Sequence, residues 1–272
     1  AEVVLPGATD DEILFTSYVC HPSMANNECS GPVLLTELIR YVNALDHRKY
    51  TYRFLLNPET IGAITYLSRN HQHLKEHLKA GLVLSCVGDD GDYSLVHTRY
   101  GHTLTDRGLA NILKSRRGYR EYSFLCRGSD ERQYNAPGID LPVAGFCRSK
   151  YGTFPEYHTS ADDMNFISPA GLQGSYDVLT QWIDAMEWNE HYRVTVLCEP
   201  QLGKRGLYPT VSQKGTYDAV FATVNLLAYA DGRNGLFDIS ERIHVPVSRL
   251  VEVMKKLREK HLLEVVDGSV AF

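Results

Sequence analysis

The hydrophobic pattern changes period repeatedly along the chain. Glu12 to Cys20 (EILFTSYVC) is rich in β-branched and aromatic residues, which predicts a buried strand. Tyr52 to Leu56 (YRFLL) and Leu82 to Val87 (LVLSCV) read the same way, and Ala1–Leu5, Tyr122–Leu125 and Pro142–Cys147 as shorter strands. Between them the period lengthens. Pro32 to Leu45 places Leu34, Leu35, Leu38, Ile39 and Val42 on one helical face, and Pro32 suits a first helical turn. Ile61–Lys79 has apolar positions at Ile64, Leu67, Leu74 and Leu78, and Thr105–Ser115 and Ala170–Trp188 are also helical. Strand and helix alternating at this spacing predict an α/β domain: a mostly parallel sheet with helices on both faces. Ligands in such folds gather beyond the carboxyl ends of strands, so the loops after Cys20, Leu56 and Val87 are where chemistry is expected.

The pattern changes after about Glu199. Tyr217–Tyr229, Leu236–Ile243 and Ser248–Lys260 read as helices, with Leu250, Val253, Met254 and Leu257 inward on the last. Leu262–Val266 and Gly268–Phe272 read as a hairpin, completing the order of a winged helix. The expected division is 1–200 for the α/β domain and 201–272 for a small winged helix. Charge supports two parts: Gln201 to Phe272 carries 10 basic and 8 acidic residues, although the whole chain has 28 Lys+Arg against 33 Asp+Glu. That net charge of -5 argues against a surface given over to nucleic acid. A hydrophobic fraction of 43% over 272 residues is enough for a sizeable core, and no run is long enough to span a membrane. The six cysteines include no C-x-x-C pair, so buried free thiols in the cytoplasm are expected. The chain opens at Ala1 almost directly in a strand, as expected of a piece that lacks an N-terminal part.

Five loops carry candidate chemistry. His21, at a strand's carboxyl end, is followed by Asn26, Asn27 and Glu28: a possible start of a metal site, or a polar loop opening a helix. Glu59 stands between strand and helix, where an acid caps the helix or acts as a general base. Asp89 and Asp90 end another strand, in what is also ordinary turn chemistry. Asp130 and Glu131 lie in a charged loop, solvated on the plain reading. His158 is flanked by Glu156, Tyr157, Asp162 and Asp163; it is a plausible ligand with an Asp supporting it, or part of a capped helix start. His73-Leu74-Lys75-Glu76-His77 matches the H-x-x-E-H pattern, but both histidines fall off the apolar seam and are expected to face water.

Together these segments resemble zinc-dependent aminopeptidases of the bacterial leucyl-aminopeptidase type, over about the first 190 residues. The strings that carry the likeness are AEVVLPGATDDEILFTSYVCH, ANNECSG, PETIG, GSDERQYNAPGIDLPVAGF and YHTSADD, in the family's order. More narrowly, HPSMANNECSG, GSDERQY, EYHTSADD and LGKRGLYPT resemble a bacterial branch that joins such a domain to a C-terminal winged helix. The resemblance implies one or two zinc ions and a peptide or small amide substrate. It implies His21 and His158 as ligands with Glu28 or Asp89, and Glu59 as the base that takes a proton from water. It also implies Asp130 or Glu131 at a substrate ammonium group, with Asn27 and Tyr157 beside the substrate. The departures are specific. Asn27 stands where the family has a bridging Asp, Thr60 where it has a second Glu, and Ser85 near its strand Asp.

A rival reading is an inactive aminopeptidase-like binding protein whose winged helix binds DNA or a protein. Arg249, Lys255, Lys256, Arg258 and Lys260 could contact phosphates, but Glu252, Glu259 and Glu264 are interleaved. No membrane association is expected, and a homo-oligomer is compatible with the sequence.

Overall fold

Strand β2 (Glu12–Tyr18) is buried along its whole length, as its unbroken apolar run predicts. It lies inside a seven-stranded sheet with β1 (Glu2–Leu5), β3 (Thr51–Asn57), β4 (Leu78–Leu84), β5 (Tyr93–Val96), β6 (Tyr119–Tyr122) and β7 (Val143–Cys147). The spatial order is β1-β3-β2-β4-β7-β5-β6. Strand β2 is parallel to β3 and β4, β4 to β7, and β5 to β6; only the β1–β3 and β5–β7 pairs are antiparallel. The computed structural model describes residues 1–208 and 216–267. It divides into a unit spanning Ala1–Thr180 and a second beginning at Gln181.

The helices that begin in the first unit are α1 (Ser30–Asn43), α2 (Ile61–His77), α3 (Leu104–Leu113), the single turn α4 (Glu131–Tyr134) and α5 (Pro169–Glu187), the last continuing past Thr180. Alternation along β2 sorts them by face. Leu14 packs with Ala63, Leu67 and Leu74 of α2 and with Leu55, Val83 and Val143. Ser17 points the other way, under Gly31 of α1, where an added Cβ would stand 2.2 Å from Ser17 Oγ and 2.7 Å from the Leu84 carbonyl oxygen. Hence α1 and α2 cover opposite faces. The chain runs β2-α1-β3 on one side and returns β3-α2-β4 on the other. This is a reversal of strand order, and it leaves a crevice beyond the carboxyl end of β2. Each fully buried Leu or Phe in these layers contributes roughly 1.5–3 kcal/mol.

The second unit holds β8 (His191–Val194), α6 (Thr216–Tyr229), β9 (Asp231–Gly235), α7 (Leu236–Ile243), α8 (Val247–Glu259) and β10 (Leu263–Val266). Its antiparallel sheet has the order β10-β8-β9. Leu236, Phe237 and Ile239 of α7 and Leu250, Met254 and Leu257 of α8 are buried. His244, left-handed at φ 55°, closes α7 before Pro246 opens α8. Two of the α8 cations are engaged nearby. Lys255 pairs with Glu252 at 3.0 Å, and Lys255 and Arg258 lie 6.0 and 5.6 Å from the Trp188 ring centroid.

Several sequence expectations are corrected. The strand expected at Leu82–Val87 starts at Leu78, directly off α2, and stops at Leu84 because Cys86 turns left-handed (φ 53°). The strand expected at Tyr122–Leu125 is instead β6, which ends at Tyr122, and Phe124–Cys126 form a 3-10 turn with Leu125 exposed. Strand β10 pairs with β8, and the expected hairpin partner, 268–272, lies outside the described residues. Strand β9 (DGRNG) is composed of turn-forming residues and is a strand only through pairing. Only Cys86 and Cys147 are buried; the other four thiols are exposed. His73 does not simply face water, since its Nε2 lies 2.8 Å from Glu12 Oε1. No helix among the described residues is long and apolar enough to cross a membrane.

Glu12 is a buried acid at the amino end of β2, held by Arg53 through two hydrogen bonds of 2.8 and 2.7 Å. Losing the guanidinium would strand that charge in the core. Arg53→Met is therefore expected to cost about 3–5 kcal/mol, read as a lower urea midpoint. Adding Glu12→Gln should recover part of the loss.

Candidate metal and catalytic site

Three strand ends deliver side chains to the crevice. Beyond β2 the chain reaches Cys20 and His21, then a π-helical turn, Ala25–Cys29, that leads into α1. Glu28 on that turn reaches back. Its Oε1 accepts the Cys20 backbone N–H, and its Oε2 lies 3.2 Å from His21 Nδ1. Cys20 Sγ is 3.4 Å from the same nitrogen. His158, in the loop between β7 and α5, places its ring 5.0 Å from the His21 ring, centroid to centroid, and stacks on Tyr157 at 3.9 Å. Beyond β3, Glu59 precedes Thr60, whose φ of 61° and ψ of -71° are strained for a β-branched residue. That peptide is clamped twice: Thr60 N–H donates to Asp130 Oδ1 at 2.7 Å, and Thr60 Oγ1 accepts from Arg132 at 2.6 Å.

The result is a convergence of donor atoms. Cys20 Sγ, a His21 ring nitrogen and a Glu59 carboxylate oxygen lie within 4.8 Å of one another. Among the described residues this is the one grouping of three His, Cys, Asp or Glu side chains so closely set. Cys20 and His158 are exposed, and His21 and Glu59 are half-buried, so the cluster is open to solvent. Burial, then the charges of Glu28, Glu59 and Asp130, raise the Cys20 thiol above its ordinary value, against a backbone hydrogen bond from Glu59. Without a ligand it is a protonated thiol near neutrality.

The remaining candidates occupy different roles. Asp89 is buried, and its oxygens accept from Asn26 Nδ2 (2.8 Å), Ser149 Oγ (2.7 Å) and Gly91 N–H (2.7 Å). It braces loops and is not drawn into the His21 cluster. Asn27 is buried as well. Its Nδ2 donates to the Tyr18 hydroxyl at 2.9 Å, and its Oδ1 has no partner among the described residues. Asp162 accepts the backbone N–H groups of Asn26 and Asn27 at 2.6 and 2.9 Å and so shapes the π-helical turn. Burial first, then the nearby Cys86 and Glu59, pushes the Tyr157 hydroxyl up to about 12.

Asp130 and Glu131 are 1% and 0% exposed, so neither offers a carboxylate to a substrate ammonium group from solvent. Glu131 Oε1 is held by Gly128 and Ser129 N–H groups and by the Tyr151 hydroxyl at 2.5 Å. Asp130 Oδ2 and Glu131 Oε2 have no partner among the described residues. Burial, reinforced by the charges of Glu59 and Glu131, raises Asp130 to about 6 despite the Thr60 N–H and Arg132. Sequence reasoning passed over Cys20, Arg132 and the strain at Thr60. Only the adjacency of Cys20 to His21 was available as a signal.

The donor set fits one zinc ion: imidazole, carboxylate and thiol are the zinc ligand types, and they converge. It does not fit a bridged pair. The resembled family has a bridging Asp where Asn27 stands; here the amide nitrogen donates to Tyr18 and the unpartnered Oδ1 is a neutral oxygen that brings no charge.

Known proteins match in two segments. Residues 1–189 match a family described as a domain of unknown function, DUF4910, and residues 190–265 match a winged helix-turn-helix. A Clostridium acetobutylicum protein is 40% identical over 268 residues, which is 97% of this chain and 61% of that protein. Its name provisionally assigns it to polysaccharide biosynthesis with an aminopeptidase-like domain. A crystal structure of a provisionally assigned peptidase from the same species superposes with a TM-score of 0.87 at 39% identity, covering 97% of this chain and 60% of that one. The chain thus spans about three fifths of the length of these relatives. BSAP, a zinc aminopeptidase from Bacillus subtilis, superposes with a TM-score of 0.56 at 19% identity over 67% of this chain and 48% of that one, a likeness of fold. The crevice at the end of β2 therefore belongs to an aminopeptidase-like fold, and this chain is a member of the DUF4910 family, continued by a winged helix-turn-helix.

Proposed function

We propose that this chain is a metal-dependent amide hydrolase of the aminopeptidase-like type, acting on peptides or amino-acyl amides. The observation that carries the reading is the convergence of Cys20, His21 and Glu59 within 4.8 Å, beside the His158 ring. His21 and His158 would hold one zinc ion. When bound, zinc supplies Lewis acidity at the amide carbonyl and at a water molecule. Glu28, bonded at His21 Nδ1, fixes the orientation of that imidazole. Glu59 takes the proton from the attacking water and returns it to the leaving nitrogen. Thr60 and Asp130 act as positioning residues: their hydrogen bond holds the strained peptide that aims Glu59. Four exposed free thiols support a cytoplasmic location.

The second reading, a binding protein without catalysis, draws on Asn27 and Thr60, neutral where the resembled family has acids. For the winged helix, the engagement of Lys255 and Arg258 near Trp188 weighs against DNA as its principal partner.

Metal analysis of protein purified without chelators separates the two readings. About one zinc per chain is expected, lost in the His21→Ala/His158→Ala double variant. Protein that takes up no metal even when zinc is supplied would leave the binding reading. Glu59→Gln is expected to keep its zinc and lose roughly 100- to 10,000-fold in turnover of an amino-acyl amide. Undiminished turnover would remove Glu59 as the base.

Asp130 gives a pH signature. Its folded value of about 6 lies above its ordinary 3.8, so the folded protein takes up a proton there. The stability this contributes is present below about pH 4 and is lost as pH rises through about 6. Urea midpoints measured across that window should show the decline in the native chain and a flatter profile in Asp130→Asn.

A further inference from the structure

We infer that Cys20 is a ligand of the metal, so that a thiolate replaces the carboxylates that Asn27 and Thr60 cannot supply. The inference rests on the metal reading proposed above and names a donor that the aminopeptidase resemblance does not.

The argument begins with what the neighbouring groups are already doing. The Asn27 amide nitrogen donates to Tyr18 and its Oδ1 is a neutral oxygen, while the Thr60 hydroxyl accepts from Arg132. The Asp89 oxygens hold Asn26, Gly91 and Ser149. Glu28 has one oxygen on the Cys20 backbone N–H and the other at His21 Nδ1. Glu28 thus ties the Cys20 backbone and the His21 ring to one carboxylate, and it fixes where the sulfur stands. That sulfur belongs to the group, with His21 and Glu59, whose donor atoms fall within 4.8 Å of one another. Donors around one tetrahedral zinc, each about 2.0–2.3 Å from it, stand roughly 3.3–3.8 Å apart, and the spacing of up to 4.8 Å in this group is close to that range. Cys20 is exposed, and ion entry requires no opening of the core.

Charge and softness agree with this choice. A thiolate from Cys20 brings a negative charge to a divalent ion and leaves Glu59 free as the base, whereas Asn27 and Thr60 contribute no charge. Sulfur also favours zinc over magnesium or manganese. On binding, the Cys20 S–H bond breaks as the sulfur–metal bond forms, and the proton leaves to solvent.

The test uses the full chain titrated with Co²⁺ in place of zinc and followed by absorption. The expected result is about one Co²⁺ per chain with two signals: visible d–d bands, and a near-ultraviolet sulfur-to-cobalt charge-transfer band. Cys20→Ser should lose the charge-transfer band, keep the d–d bands and bind Co²⁺ roughly tenfold or more weakly. Cys29→Ser, a change at another exposed thiol, should keep both. Bound Co²⁺ with d–d bands but no charge-transfer band would overturn the thiolate ligand while leaving the metal site intact. A charge-transfer band that survives Cys20→Ser would also overturn it. No Co²⁺ uptake at all would overturn both the thiolate and the metal reading.

Discussion

One buried carboxylate holds the crevice together. Asp162, fully excluded from solvent, receives the backbone N–H groups of Asn26 and Asn27, and its own carbonyl accepts from Ala25 N–H at 3.0 Å. The partners are more than 130 positions apart in the chain. The bonds join the loop after β2, which bears His21, to the loop before α5, which bears His158. Charge-assisted bonds of this kind are about twice as strong as neutral ones, and leaving their partners unpaired in the core would cost several times RT. This clamp ties together the two loops whose imidazoles stand 5.0 Å apart.

Around that clamp the backbone is strained where the strands end. Thr60 follows β3, Cys86 follows β4 and His158 lies beyond β7, and all three are left-handed in φ without being glycine. Such conformations persist only where surrounding contacts over-determine them. Here those contacts are visible: Asp130 and Arg132 hold Thr60, while Asn27 and Ser85 touch the Cys86 sulfur. Three such residues lie beyond strand ends, beside exposed donor atoms.

The chemistry of the site is a variation on the fold it occupies. Folds of this kind host several reactions, so the residues must decide. Where the resembled family has a bridging Asp this chain has the neutral Asn27, while a thiol, two imidazoles and a carboxylate remain close together. The proposed single ion, with Glu28 orienting His21 and Glu59 as base, draws on that donor set.

Much of this was legible in the chain itself. The helices followed from apolar residues at helical spacing and the buried strands from apolar runs, because both periods are local and set by backbone geometry. His21, Glu28, Glu59 and His158 stood out through their places in strings that resemble the aminopeptidase family, since each taken alone also had an ordinary structural reading. Strands β5, β8 and β9 did not, since Asp231–Gly235 has no strand character until β8 pairs with it. Nor could sequence reveal that Asp89 braces loops, that Asp130 and Glu131 are sealed from solvent, or that Cys20 faces His21. By itself the sequence determined which segments are helix or strand, where their apolar faces lie and which loops bear reactive side chains. Tertiary structure alone decided which of those side chains share a site, because hydrogen bonds between residues far apart in the chain, above all those of Asp162, set the distances between them.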